Sequence, residues 1–262
     1  NASKKEEEIL NMILIYPELE RDILPPLRRA IIKVNTYEPK KPKAQIAELA
    51  TSDPSQLSVN EILYAANLTD DLNTKKQVYA NAMAQFPKCW RAVNNAAAVE
   101  IELGNIEAAK TLLMKAVEMN ENSSEVRNNM GIVKLHLGDY TGAEKCFMKA
   151  QELGADVNYN IAVAKLYLGD YAKAESMLAS SNCDYNKGLA QLLNRNYSGA
   201  QKTFSCVNPQ DAETTYLQAV TASMNNDKEN TLKYLGNAIK ADAKYKKCAA
   251  NDMIFLKYRS DA

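Results

Sequence analysis

Histidine is almost missing from this chain of 262 residues: His136 is the single one. Multi-histidine metal sites are thereby excluded, and imidazole acid–base chemistry has one candidate. Glycine and proline are scarce, at 9 and 8, which disfavours both a turn-rich β-sandwich and a disordered tail. Net charge is absent as well. Thirty-two Lys and Arg balance 32 Asp and Glu, so the basic footprint of a nucleic-acid binder or a polybasic membrane anchor is lacking. No apolar run approaches the roughly 20 residues of a transmembrane helix. The five cysteines, at 89, 146, 183, 206 and 248, include no Cys-x-x-Cys pair, which excludes zinc-ribbon and thioredoxin-type sites. An odd number cannot all pair within one chain, and the expectation is that they are buried small apolar residues. No glycine-rich phosphate loop, nucleophile elbow or His-Glu-x-x-His helix occurs. These absences predict a helical protein without catalytic residues, one that needs no metal or cofactor and takes proteins rather than nucleic acid as partners.

What is present is repetition. Glu102-Leu-Gly-Asn-Ile-Glu-Ala-Ala109, His136-Leu-Gly-Asp-Tyr-Thr-Gly-Ala143 and Tyr167-Leu-Gly-Asp-Tyr-Ala-Lys-Ala174 are alike, and Arg195-Asn-Tyr-Ser-Gly-Ala200 is a weaker copy. The glycines at 104, 138 and 169 are 34 and 31 residues apart. With them at the fifteenth position of a unit, position 8 reads Leu63, Ala97, Gly131, Ala162, Gly188, Ala219. Position 20 reads Lys75, Ala109, Ala143, Ala174, Ala200, Thr231, and position 24 reads Tyr79, Leu113, Phe147, Leu178, Phe204, Leu235. Small residues at 8 and 20 let two helices approach closely, and a large one at 24 fills the space one turn on. Position 15 supplies the left-handed turn between them.

These residues resemble the tetratricopeptide repeat family, whose unit is two antiparallel helices in about 34 residues. The resemblance implies an all-α protein, a right-handed α-solenoid of helical hairpins, with units starting near 56, 90, 124, 155, 181 and 212 within residues 53–244. Leu63 and Lys75 depart from the pattern in the first unit. The slot spacing of 26 between Gly169 and Arg195 predicts a short second helix in the fourth. Residues 245–262 are expected to form the capping helix that a solenoid needs over its last face.

Residues 1–52 differ. Ser3-Lys-Lys-Glu6 has the pattern of a capping box, opening a helix that ends near Pro17. Alternation of Ile32, Val34 and Thr36 with Lys33 and Asn35 suggests one strand within Leu27–Tyr37, and Ala44–Ala50 starts another helix. A single strand makes no sheet, so it is expected to belong to something upstream. The order Tyr16-Pro17-Glu18-Leu19, Pro26-Leu27-Arg28-Arg29, then Gln56-Leu57-Ser58-Val59-Asn60-Glu61 ahead of repeats is similar to the C-terminal half of OmpA-like envelope proteins of Bacteroidetes. That resemblance implies a periplasmic, outer-membrane-associated setting, with a cytoplasmic one as the alternative. The Asp- and Arg-bearing peptidoglycan motif of that domain is not found in this chain.

The tetratricopeptide resemblance also implies a concave groove lined by the first helices. Position 6 of the units reads Glu61, Asn95, Asn129, Asn160, Asn186, Leu217, and position 5 reads Asn60, Asn94, Asn128, Tyr159, Tyr185, Tyr216. An asparagine amide offers a donor and an acceptor together, which matches the backbone of an extended peptide. Asn94, Asn95, Asn128, Asn129, Asn160 and Asn186 are therefore the candidate peptide ladder, with Tyr159, Tyr185 and Tyr216 as flat walls. The alternative is that the amides bond within the solenoid. Position 9 (Tyr64, Ala98, Ile132, Val163, Leu189, Val220) gives an apolar floor and lacks the asparagine of a carboxylate clamp for acidic tails. A neutral groove of this kind predicts weak salt dependence. His136, at position 13, is expected at the surface or against a ligand, and Cys146 lies on the second helix of its unit. A scaffold that binds a peptide segment and a structural spacer are the two functions these features allow.

Overall fold

The computed structural model describes residues 3–9, 12, 21 and 40–258. The chain divides into two units, residues 1–41 and 42–262. In the first, residues 3–9 are helical. The strand expected within Leu27–Tyr37 lies outside the described residues.

The second unit is all helix, with no strand among its described residues. Its helices are α1 (Lys43–Ser52), α2 (Val59–Ala65), α3 (Leu72–Gln85), α4 (Trp90–Glu102), α5 (Ile106–Met119), α6 (Ser124–His136) and α7 (Tyr140–Glu152). They continue as α8 (Asn158–Tyr167), α9 (Tyr171–Met177), α10 (Tyr185–Leu193), α11 (Tyr197–Cys206), α12 (Ala212–Met224), α13 (Lys228–Ala241) and α14 (Lys244–Asn251). A short 3₁₀ segment, Met253–Tyr258, follows. Each helix packs mainly on its sequence neighbours, which is the one-dimensional order of a solenoid. Helix α1 packs on α2 and α3, and Asn81 donates to the Ala50 carbonyl at 2.9 Å.

The hairpin turns follow from a left-handed residue. Gly104, Gly138 and Gly169 have φ of +78, +77 and +82°. Arg195 and Asn226, in the same slot, adopt +64 and +61°. In all five hairpins the next N–H reaches back five residues to a carbonyl, as from Asp139 to Lys134 at 2.9 Å and from Asn196 to Gln191 at 2.8 Å. That bond closes the first helix. The same residue then begins the second: Asp139, Asp170, Asn196 and Asp227 each accept from the backbone N–H three residues on, capping it.

Between the helices of each hairpin the small and large positions meet. Ala97, Ala109, Ala143, Ala162, Ala174, Ala200 and Ala219 are fully buried, as are Leu113, Phe147 and Phe204. The two glycines of position 8 face the two phenylalanines of position 24: a Cβ on Gly131 would lie 2.6 Å from Phe147 Cδ1, and one on Gly188 2.6 Å from Phe204 Cε1. Where position 24 is leucine, position 8 is alanine. The volume of the pair is thus kept nearly constant. Helix α9 has only 7 residues, the short helix that the reduced spacing predicts.

The cysteines require a correction. Cys183 and Cys206 form a disulfide, with Cα atoms 5.0 Å apart, and Cys248 is exposed. Cys89 and Cys146 are half-buried. The reason is antiparallel geometry: Cys183 precedes α10 and Cys206 ends α11, so the two lie together at the open end of one hairpin although 23 residues apart.

Candidate functional site

The first helices α4, α6, α8, α10 and α12 bring positions 5 and 6 of successive units together. Asn160 Nδ2 donates to Asn128 Oδ1 at 2.7 Å. Asn128 donates to Asn129 at 3.3 Å, Asn129 to Asn94 at 3.0 Å, and Asn94 to Asn95 at 3.2 Å. Five asparagines from three units therefore form one continuous amide chain. Asn94, Asn128 and Asn129 each donate once and accept once along it, leaving one N–H and one carbonyl lone pair per amide. Asn94 is buried, and the other four are half-buried.

Asn186 stands apart from this chain. It donates to the Tyr159 hydroxyl at 2.8 Å, and that hydroxyl donates to Asp184 Oδ2 at 3.0 Å. Tyr185 donates to Glu213 at 2.7 Å and Tyr216 to Asp252 at 3.0 Å. In these units the position-5 tyrosine thus grips a carboxylate of the following unit or, for Tyr216, of the C-terminal cap. That acceptor role of Asp184, Glu213 and Asp252 is not readable from the repeat pattern, because the acids do not share one repeat position.

Burial, together with the adjacent carboxylate, raises the pKa of Tyr185 and of Tyr216. Both therefore remain protonated donors at neutral pH. A folded value above the ordinary tyrosine value near 10 contributes stability that is complete below pH ~10 and lost as the pH climbs through the folded value. The melting temperature is expected to fall above pH ~10, and to fall less in a Tyr185→Phe/Tyr216→Phe variant. Equal alkaline losses in the two proteins would show that these hydroxyls are not responsible.

At the N-terminal end the groove deepens into a cleft of about 350 Å³, lined among others by Tyr64, Trp90, Arg91, Asn94, Asn95 and Glu125. His136 is exposed in the last turn of α6. Cys146 lines a separate cleft of about 660 Å³ with Met114, Met130 and Lys134, and its burial raises the thiol pKa. Among the described residues no group of His, Cys, Asp and Glu is placed to hold a metal ion, and no helix is long and apolar enough to cross a membrane.

Paired helices with small residues at 8 and 20, left-handed turns at 15 and one shared first-helix face decide the fold. The chain has a tetratricopeptide-like repeat fold. Its fold matches the crystal structure of PilW, a type IV pilus biogenesis factor, with a TM-score of 0.60, 17% identity, and coverage of 71% of this chain and 94% of that one. It also matches YrrB, described as a TPR protein with an unusual peptide-binding site, with a TM-score of 0.50, 19% identity, and coverage of 70% and 97%. The family model of the coatomer epsilon subunit matches residues 44–157. Human tetratricopeptide repeat protein 7B is 27% identical over 133 residues. That match takes in 49% of this chain but only 15% of the length of the human protein.

Proposed function

We propose that this tetratricopeptide-like protein is a non-enzymatic scaffold that receives an extended peptide segment of a protein partner along its first-helix face. The observation that carries the reading is the amide chain from Asn160 to Asn95, each internal member of which keeps a spare donor and acceptor. A peptide backbone presents the complementary pair at every residue, and each such bond contributes only ~0.5–1.5 kcal/mol net. Several in a row are needed for affinity, and a row is what the repeat supplies. YrrB, a protein of like fold with an unusual peptide-binding site, lends support. The coatomer epsilon match, to a subunit of a larger assembly, agrees with a role in bringing proteins together.

A second reading is favoured by the same bonds. Because the amides tie one unit to the next, the chain also suits a rigid spacer with no groove ligand. Changing Asn129 and Asn160 together to alanine separates the two. The groove reading expects a folded protein that loses its partners in a pull-down from native extract. A double variant with a lowered melting temperature and every partner retained at full strength would give the spacer reading the lead.

We further propose an envelope setting of the OmpA-like kind. The sequence resemblance in residues 16–61 supports it, as does the Cys183–Cys206 disulfide, since such bonds persist chiefly in oxidising compartments. Osmotic-shock fractionation of cells expressing the natural gene product tests this: release with periplasmic markers is expected, and recovery with cytoplasmic markers refutes it.

A further inference from the structure

We infer that the segment received by this groove is a basic amphipathic one, with apolar side chains along one edge and lysine or arginine along the other. The inference rests on the peptide-groove reading above and adds the chemistry of the partner.

The two edges of the first-helix face differ. Helical geometry puts positions 2, 5, 6, 9 and 13 on one stripe, so position 2 forms the edge at the helix starts and position 13 the edge at the hairpin turns. At the starts stand Glu125, Asp156, Asp184 and Glu213. Contacts tie each of them to the groove: Glu125 lines the same cleft as Asn94 and Asn95, Asp156 lines one with Tyr159, and Asp184 and Glu213 accept from Tyr159 and Tyr185. Their other bonds come from uncharged donors: the Ser123 and Ser124 hydroxyls for Glu125, the Asn158 amide for Asp156 and the Lys187 backbone N–H for Asp184. Among the described residues no lysine or arginine forms an ion pair with these four. Two cations stand near this edge: Arg91 at the N-terminal end, bonded to Asn60, and Lys187, whose ammonium is held by the Ala179 and Ser181 carbonyls.

At the turns two carboxylates are held by lysines. Asp139 pairs with Lys134 at 2.7 Å and Asp170 with Lys165 at 3.6 Å. From the fourth unit on, position 13 is exposed and apolar: Tyr167, Leu193 and Met224 are 60, 41 and 40% accessible, whereas the exposed Glu102 and His136 hold it in the two units before. Between the edges runs the floor of Ile132, Val163, Leu189 and Val220. From the fourth unit on, an acidic edge whose carboxylates have no ion-pair partner faces an apolar edge, and such a pair selects by charge complementarity. In an extended peptide alternate side chains point to opposite sides, so a segment lying along the groove sends one set to each edge. Alternating apolar and basic residues fit both edges at once. The neutrality expected from positions 5, 6 and 9 therefore holds for the floor and walls but not for the edge at the helix starts.

The test uses the whole chain and three fluorescein-labelled twelve-residue probes: alternating leucine and lysine, alternating leucine and glutamate, and alternating serine and lysine. Anisotropy titrations at low salt are expected to give the leucine–lysine probe an affinity on the order of tenfold above either of the others. That advantage over leucine–glutamate should shrink as NaCl rises from about 50 to about 500 mM. It should also shrink in an E125Q/D156N/E213Q variant, where the new amide at position 213 can still accept from Tyr185 and the fold is checked by its melting curve. If leucine–lysine and leucine–glutamate probes bind equally, the charge inference falls and the peptide groove stands. If no probe binds, both fall. If serine–lysine matches leucine–lysine, the apolar edge plays no part and the amphipathic assignment is wrong.

Discussion

Gly131→Leu is expected to destabilise the protein by ~1–3 kcal/mol, the usual cost of forcing bulk into a packed core. The cause is local. A Cβ at Gly131 already overlaps the Phe147 ring, and Phe147 is fully buried, so the ring cannot swing into solvent. The stronger form of this prediction is a pairwise one. Gly131→Ala crowds the ring, and Phe147→Leu alone leaves a gap, whereas the two together recreate the alanine–leucine pair used at Ala97–Leu113, Ala162–Leu178 and Ala219–Leu235. The double variant is therefore expected to be more stable than the sum of the single changes implies. Coupling of ~0.5–3 kcal/mol is typical for residues in contact, and alanine also gains about 1 kcal/mol of helix propensity over glycine. Thermal or denaturant melts of the four proteins measure the coupling. Strictly additive effects would mean that positions 8 and 24 do not share one space.

Removing the Cys183–Cys206 bond by Cys183→Ser and Cys206→Ser is expected to cost about 3 kcal/mol, the chain-entropy value for a closed loop of this length. The bond lies where the solenoid has least helix to hold it. The neighbouring α9 has 7 residues and α10 has 9, against 13 each in α4 and α6. Stacked repeats feel mainly their neighbours, so hydrogen exchange should quicken in α9–α11 and stay unchanged in α4–α7. Thiol titration of the denatured protein is expected to find three free cysteines without reductant, Cys89, Cys146 and Cys248, and five with it. Five thiols before reduction in protein from an oxidising compartment, with an unchanged melting temperature, would overturn the assignment.

Much of the architecture is legible without coordinates because its causes are local. A left-handed turn residue, the capping side chain after it, and small residues one turn from large ones recur with the unit and act within about 34 residues of chain. That is why the slots of Arg195 and Asn226 can be read from the spacing although neither is glycine, and why the shortness of α9 follows from a reduced spacing. The candidate site is legible to a lesser depth. Its residue types at positions 5 and 6 recur on one face, but whether an amide meets a neighbouring unit or solvent depends on the distance between first helices, which no single unit encodes. Tertiary structure alone decided that Asn160, Asn128, Asn129, Asn94 and Asn95 join end to end, and that Tyr159, Tyr185 and Tyr216 reach carboxylates in the following unit or the C-terminal cap. It also decided the disulfide: Cys183 and Cys206 carry no pairing signal in the sequence and meet only because antiparallel helices return the chain to the end of the hairpin at which it began.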